Sequence, residues 1–122
     1  MSYDIFFWRE QAGVSVDANQ VLRELEDTVE FPGIISQPLD TVRRVFQQHF
    51  PNIIGSAGSL DWEGDGSYFQ AEFTFLDERT VSMITVCCGY ELLKSPRAMK
   101  LLSDVATSLG CRVYDPQQSR PA

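Results

Sequence analysis

At 122 residues the chain has the length of one domain, enough to bury a core without metal or disulfide staples. A hydrophobic content of 43% with 11% aromatics excludes a disordered chain. Seventeen acidic against ten basic residues leave a net charge of -7, which disfavours nucleic acid and anionic membranes and favours a basic partner.

The first predicted element is a buried strand, Tyr3 to Trp8, aromatic and β-branched throughout. Asp17 is placed to cap a helix, with Gln20 three residues on. Val21, Leu22, Leu25 and Val29 follow at helical spacing, so the first helix is expected from Ala18 to Glu30, stopped by Phe31-Pro32-Gly33. Its other face carries Arg23, Glu24, Glu26, Asp27 and Glu30 and is strongly acidic. Pro38 suits the first turn of a second helix, whose apolar stripe is Leu39, Val42, Val45, Phe46 and Phe50. Pro51 stops it, and Asn52 to Ser59, with Gly55 and Gly58, reads as loop.

Leu60-Asp61-Trp62-Glu63 alternates as a strand, and Gly64-Asp65-Gly66 turns the chain. In the next strand, Phe69, Ala71, Phe73 and Phe75 share a core face, while Tyr68, Gln70, Glu72 and Thr74 share a half-wet one. Thr80 to Cys88 is nearly all apolar or β-branched and fits a central strand. Ser95-Pro96 opens a third helix with Ala98, Leu101, Leu102, Val105 and Leu109 inward, closed by Gly110. Cys111 to Tyr114 is a short last strand. The order β-α-α-β-β-β-α-β predicts a two-layer α+β domain over residues 1–114, with three helices on a mainly antiparallel sheet of about five strands. Residues 115–122 read as a flexible tail.

No self-contained catalytic motif emerges. His49, the one histidine, ends a helix where a cation is favoured, and no local partner makes it a base. Cys87, Cys88 and Cys111 lack the paired spacing of a zinc site, and their odd number fits reduced thiols in the cytoplasm. Asp61, Glu63 and Asp65 resemble half of a calcium loop, but two of them lie on an alternating strand and no bidentate Glu closes the pattern. Gly55-Ser56-Ala57-Gly58-Ser59 precedes a strand rather than a helix, so it reads as loop rather than phosphate cradle. No cofactor is expected. The start, Met1 to Ile5, has no basic leader, and no run approaches the ~20 apolar residues of a membrane span.

The opening Met1-Ser2-Tyr3-Asp4-Ile5-Phe6-Phe7-Trp8 resembles the "MSYDLYFW" start of a set of small bacterial proteins. The segment Leu109-Gly110-Cys111-Arg112-Val113-Tyr114-Asp115-Pro116-Gln117 is similar to the "G-x-x-V-Y-D-P-Q" close of several immunity families of polymorphic and type VI secretion toxins. The resemblance covers about 17 residues at the two ends. It implies a cytoplasmic antitoxin that binds one secreted toxin domain and covers its active site, with no catalytic residues to carry over. The alternative is a small enzyme or ligand-binding domain whose site is assembled from distant residues.

Under the immunity reading, the acidic-aromatic cluster Asp61, Trp62, Glu63, Asp65 and Tyr68 is expected to meet a basic toxin cleft. The acidic face of the first helix, with Glu24, Asp27 and Glu30, is the competing surface. Trp62 shares a strand face with Leu60, so it stands between interface and core.

Overall fold

The computed structural model describes residues 2–27, 32–56, 58–64 and 66–116; of Ser2 and residues 24–27 the backbone alone is described. The strands are β1 Ser2–Glu10, β2 Ile34–Ile35, β3 Gln37–Pro38, β4 Ile54–Gly55, β5 Ser59–Gly64, β6 Ser67–Asp77, β7 Thr80–Gly89 and β8 Arg112–Tyr114. The helices are α1 Ala18–Asp27, α2 Leu39–His49 and α3 Pro96–Ser108, with a 3-10 turn at Tyr90–Lys94. The class is α+β, and every pairing among the described strands is antiparallel.

The sheet runs β8-β1-β7-β6-β5-β4, with β2 and β3 attached to β1 and β7 at one end. Its centre is the β6–β7 hairpin, where Phe69 faces Cys88 and Glu72 faces Thr85. The hairpin turns on Asp77, whose carboxylate accepts from the backbone N–H of Arg79 (2.8 Å) and of Thr80 (3.1 Å). The register steps over Ser82, since Thr74 faces Met83 and Phe75 faces Val81. This bulge turns Val81 and Ile84 to the same face, and the buried Ser82 hydroxyl donates to the Thr74 carbonyl at 3.2 Å.

Eight strands replace the five expected. The additions, β2, β3 and β4, are two residues each, too short to alternate. β4 lies inside the segment read as loop, and Pro38 ends β3 immediately before Leu39 instead of opening the helix. The helix signals are borne out: the Gln20 N–H reaches Asp17 Oδ1 at 3.2 Å, and the Ala98 N–H reaches Ser95 Oγ at 3.2 Å. Gly110 closes α3 at φ 68°, in the left-handed region glycine enters without strain. The expected helix end at Glu30 and the Phe31 stop lie outside the described residues, as does the tail from residue 117.

The two-layer expectation is corrected. α2 and α3 cover one face of the sheet: Val42, Phe46, Ala98, Leu102 and Val105 pack there against Ile5, Phe7, Leu60, Phe69, Val86 and Cys88. α1 lies on the opposite face, where Ala18 and Val21 meet Trp8 and Met83, with Phe6 and Tyr114 alongside. The unbroken apolar run Ile5-Phe6-Phe7-Trp8 is the cause, because successive strand residues point to opposite faces and both must be covered.

Candidate interaction surface

Among the described residues, α1 covers only the β8–β1–β7 end of its face, and nothing else lies over the rest. Beyond it, strand pairing sets side chains in rows across the sheet. One row is Asp4, Cys87, Gln70, Asp61 and Ile54; the next is Phe6, Thr85, Glu72 and Ser59. Glu63 and Tyr68 face each other beyond Asp61 and Gln70. Asp61, Glu63 and Glu72 are exposed, Tyr68 is 49% exposed and Ile54 is 74% exposed. Strands β4 to β7 contain no Lys or Arg at all. The uncovered half of this face is therefore a carboxylate surface with aromatic and aliphatic relief.

The field of these carboxylates reaches the thiol among them. Burial first, then the neighbouring Asp4 and the charge of Glu72, push the Cys87 thiol up to about 12. Cys88, next in sequence, points into the core on the other face and is also held at about 12, chiefly by burial. Cys111 is buried enough to sit near 11. All three cysteines are free, and the adjacent pair is turned apart by the strand. Thiols held this far above neutrality are poor nucleophiles and metal ligands near pH 7. Among the described residues no three His, Cys, Asp or Glu side chains are grouped to hold a metal ion.

The structure sorts the residues proposed from sequence. Asp61, Glu63 and Tyr68 come together on the uncovered face, where Asp4 and Glu72 join them. Trp62 does not. It is 7% exposed, stacked on Phe69 at 5.6 Å and edge-on to Phe50 at 5.0 Å, so it is a core side chain. Its strand parity with Leu60 decides this. Asp65 and Glu30 lie outside the described residues, as do the side chains of Glu24 and Asp27. Sequence reasoning missed Asp4 and Glu72, although Glu72 was on the half-wet face of its strand. The β5–β6 pairing sets Glu72 diagonal to Asp61, and only the pairing of β1 with β7 and of β7 with β6 brings Asp4 into the Asp61 row.

Two hollows border these elements. A shallow bowl of about 510 Å³ lies on the uncovered face, lined by Glu63, Gly64, Gly66, Ser67 and Tyr68. A smaller hollow of about 250 Å³ lies at the end of α2 and gathers His49, Asn52 and Arg97 beside Trp62 and Leu101. There the His49 Nδ1–H donates to the Val45 carbonyl at 2.9 Å, which satisfies one ring nitrogen within its own helix.

No family model matches the chain, and no curated protein or solved structure matches it. No helix among the described residues is long and apolar enough to cross a membrane.

Proposed function

We propose that the chain is a cytoplasmic immunity protein that binds a cognate secreted toxin domain and occludes its active site. The observation that carries the reading is the uncovered half-face of the sheet, with Asp61, Glu63 and Glu72 exposed on strands that contain no Lys or Arg, and the half-buried Asp4 at the far end of the Asp61 row. Diagonal neighbours such as Asp61 and Glu72 repel one another, and a sheet carries that cost for no folding benefit. A basic cleft of the kind that handles nucleic acid or nucleotides would relieve it. The resemblance at the two ends of the chain and the net charge of -7 point the same way. The mechanism is steric and electrostatic: carboxylates steer the encounter, raising association roughly 10- to 1000-fold at low salt, and relief on the face slows dissociation.

The test is co-purification with the product of the neighbouring gene, followed by charge reversal. Asp61→Lys with Glu63→Lys should slow association and flatten its salt dependence while the domain stays folded. Reversal at Glu24 and Glu30 should do less; if the helix variant loses binding and the sheet variant does not, the interface is α1. His49→Ala should keep protection. Loss of protection in a folded His49→Ala variant would favour the alternative, a small enzyme or ligand-binding domain built on the hollow at the end of α2.

A further inference from the structure

The uncovered face is not uniform. At the β5–β6 end, Glu63 stands directly opposite Tyr68 across the strand pair. The Tyr68 ring is seated on Gly89 of β7: a Cβ at Gly89 would lie 2.9 Å from its Cε1 and 2.6 Å from Ser67 Oγ, so glycine alone leaves room for the ring in this position. With 49% of its surface exposed, the ring keeps a side free for a partner. The bowl opens here, and among its described lining residues Gly64 and Gly66 carry no side chain.

A half-exposed aromatic with a directly opposed carboxylate, in a concavity edged by glycine, has the chemistry that holds one cation. The ring offers the negative centre of its quadrupole, and the carboxylate offers two acceptor oxygens. Neither basic residues of β5 and β6 nor those of β7 compete for the place, since these strands have none. Asp61 lies two residues along from Glu63 on the same face and adds to the attraction without closing the bowl.

We propose that this bowl is the anchor subsite of the uncovered face, and that it takes one arginine side chain of a basic partner, the guanidinium lying against Tyr68 and paired to Glu63. Arginine fits better than lysine because its planar group stacks on a ring and meets a carboxylate through two parallel N–H donors at once. The subsite deepens the immunity reading and rests on it for its biological partner, but its chemistry is testable on the chain alone.

The experiment titrates the 15N-labelled chain with a hexa-arginine peptide, with hexalysine as the comparison. The amides of Glu63, Gly66, Ser67, Tyr68 and Gly89 should shift first. Tyr68→Ala should weaken the peptide about tenfold, Tyr68→Phe should stay within about twofold, and Glu63→Gln should flatten the salt dependence. Tyr68 is on the surface, so these variants should keep the fold, and a denaturant melt checks that they do. No binding, shifts centred on another part of the face, or unchanged affinity in Tyr68→Ala each overturn the subsite. Equal affinity for the two peptides overturns the arginine assignment. Failure to recover a toxin with the chain would sink the immunity reading and leave this titration intact. A captured toxin whose affinity ignores Tyr68→Ala and Glu63→Gln, yet responds to Asp61→Lys, would sink the subsite alone.

Discussion

The two faces of this sheet are built from the same strands, yet they are made for different tasks. Under α2 and α3, each strand sends its even or odd set of side chains into one continuous core. Phe46, Phe50, Trp62 and Phe69 interlock there with ring centroids 4.9 to 6.2 Å apart. On the other face, the fully covered part shrinks to Trp8, Ala18, Val21 and Met83, and the rest mixes carboxylate, amide and hydroxyl with Phe6, Cys87, Tyr68 and Ile54. The large face holds the fold and the small one leaves a surface over. A sheet that needs only one good core can spend its second face on a partner.

Alkali should break both faces together, and this is the largest effect expected. Cys87 and Cys88 are held at about 12 against an ordinary 9.0, Cys111 at about 11, and Tyr3 at about 12 against 10.0. Burial leads in every case; for Tyr3, its hydrogen bond to the Asp115 carboxylate adds to it. Each folded-state value lies above the unfolded one, so between them the native state binds more protons and stability falls as pH rises. The contribution is complete below about pH 9 and is lost between 9 and 12. Circular dichroism against pH should show cooperative unfolding in that window, and Cys88→Ala should make the loss shallower. A fold that persists unchanged to pH 12 would contradict it.

Core substitutions separate the faces. Phe46→Ala opens a cavity beneath Phe69 and should cost about 3–5 kcal/mol in a urea melt, enough to unfold many domains of this size. Val21→Ala, equally buried but in the small cluster under α1, should cost about 2 kcal/mol. Amide exchange in α1 should be faster than in α2, since a helix on a small core opens locally at lower cost. Matching costs and matching exchange would show the faces to be equivalent. The smallest effect is on the uncovered half: Asp61→Asn with Glu72→Gln should raise stability by a few tenths of a kcal/mol and weaken partner binding.

The sequence carried much of this, and unevenly. Long alternating or stripe-bearing segments were legible: β6 from Phe69 to Phe75, α3 from its Ser95 cap to Gly110, β1 from its aromatic run. Two-residue strands were not, because period-2 alternation has no content at that length. Layering also failed to show, since an amphipathic stripe such as Val21 and Leu22 announces a buried face without saying which side of a sheet buries it. The signal that was present, four large apolar residues in succession at Ile5 to Trp8, required cover on both sides. For the candidate surface, Asp61, Glu63 and Tyr68 were readable from one hairpin. Glu72 lies in the same hairpin and needed only its register, whereas Asp4 needed the strand order, which is long-range. Trp62 was decided by parity alone.

The pairing of β1 has a consequence for how the chain is made. Tyr3 meets Cys88 and Phe6 meets Tyr114, so over most of its length β1 is made well before the two strands it pairs with, and only its end, Arg9 and Glu10, finds a partner early, in β2. Until then Ile5 to Trp8 has α1 to cover Trp8 on one face, while Ile5 and Phe7 on the other wait for their core. The β6–β7 hairpin, formed from adjacent residues, can assemble early and wait as a template. For this sheet the order of synthesis thus runs opposite to the order of assembly: β1 is made before β6 and β7 and joins them late, and its exposure in the interval is the time a nascent chain has to aggregate or be escorted.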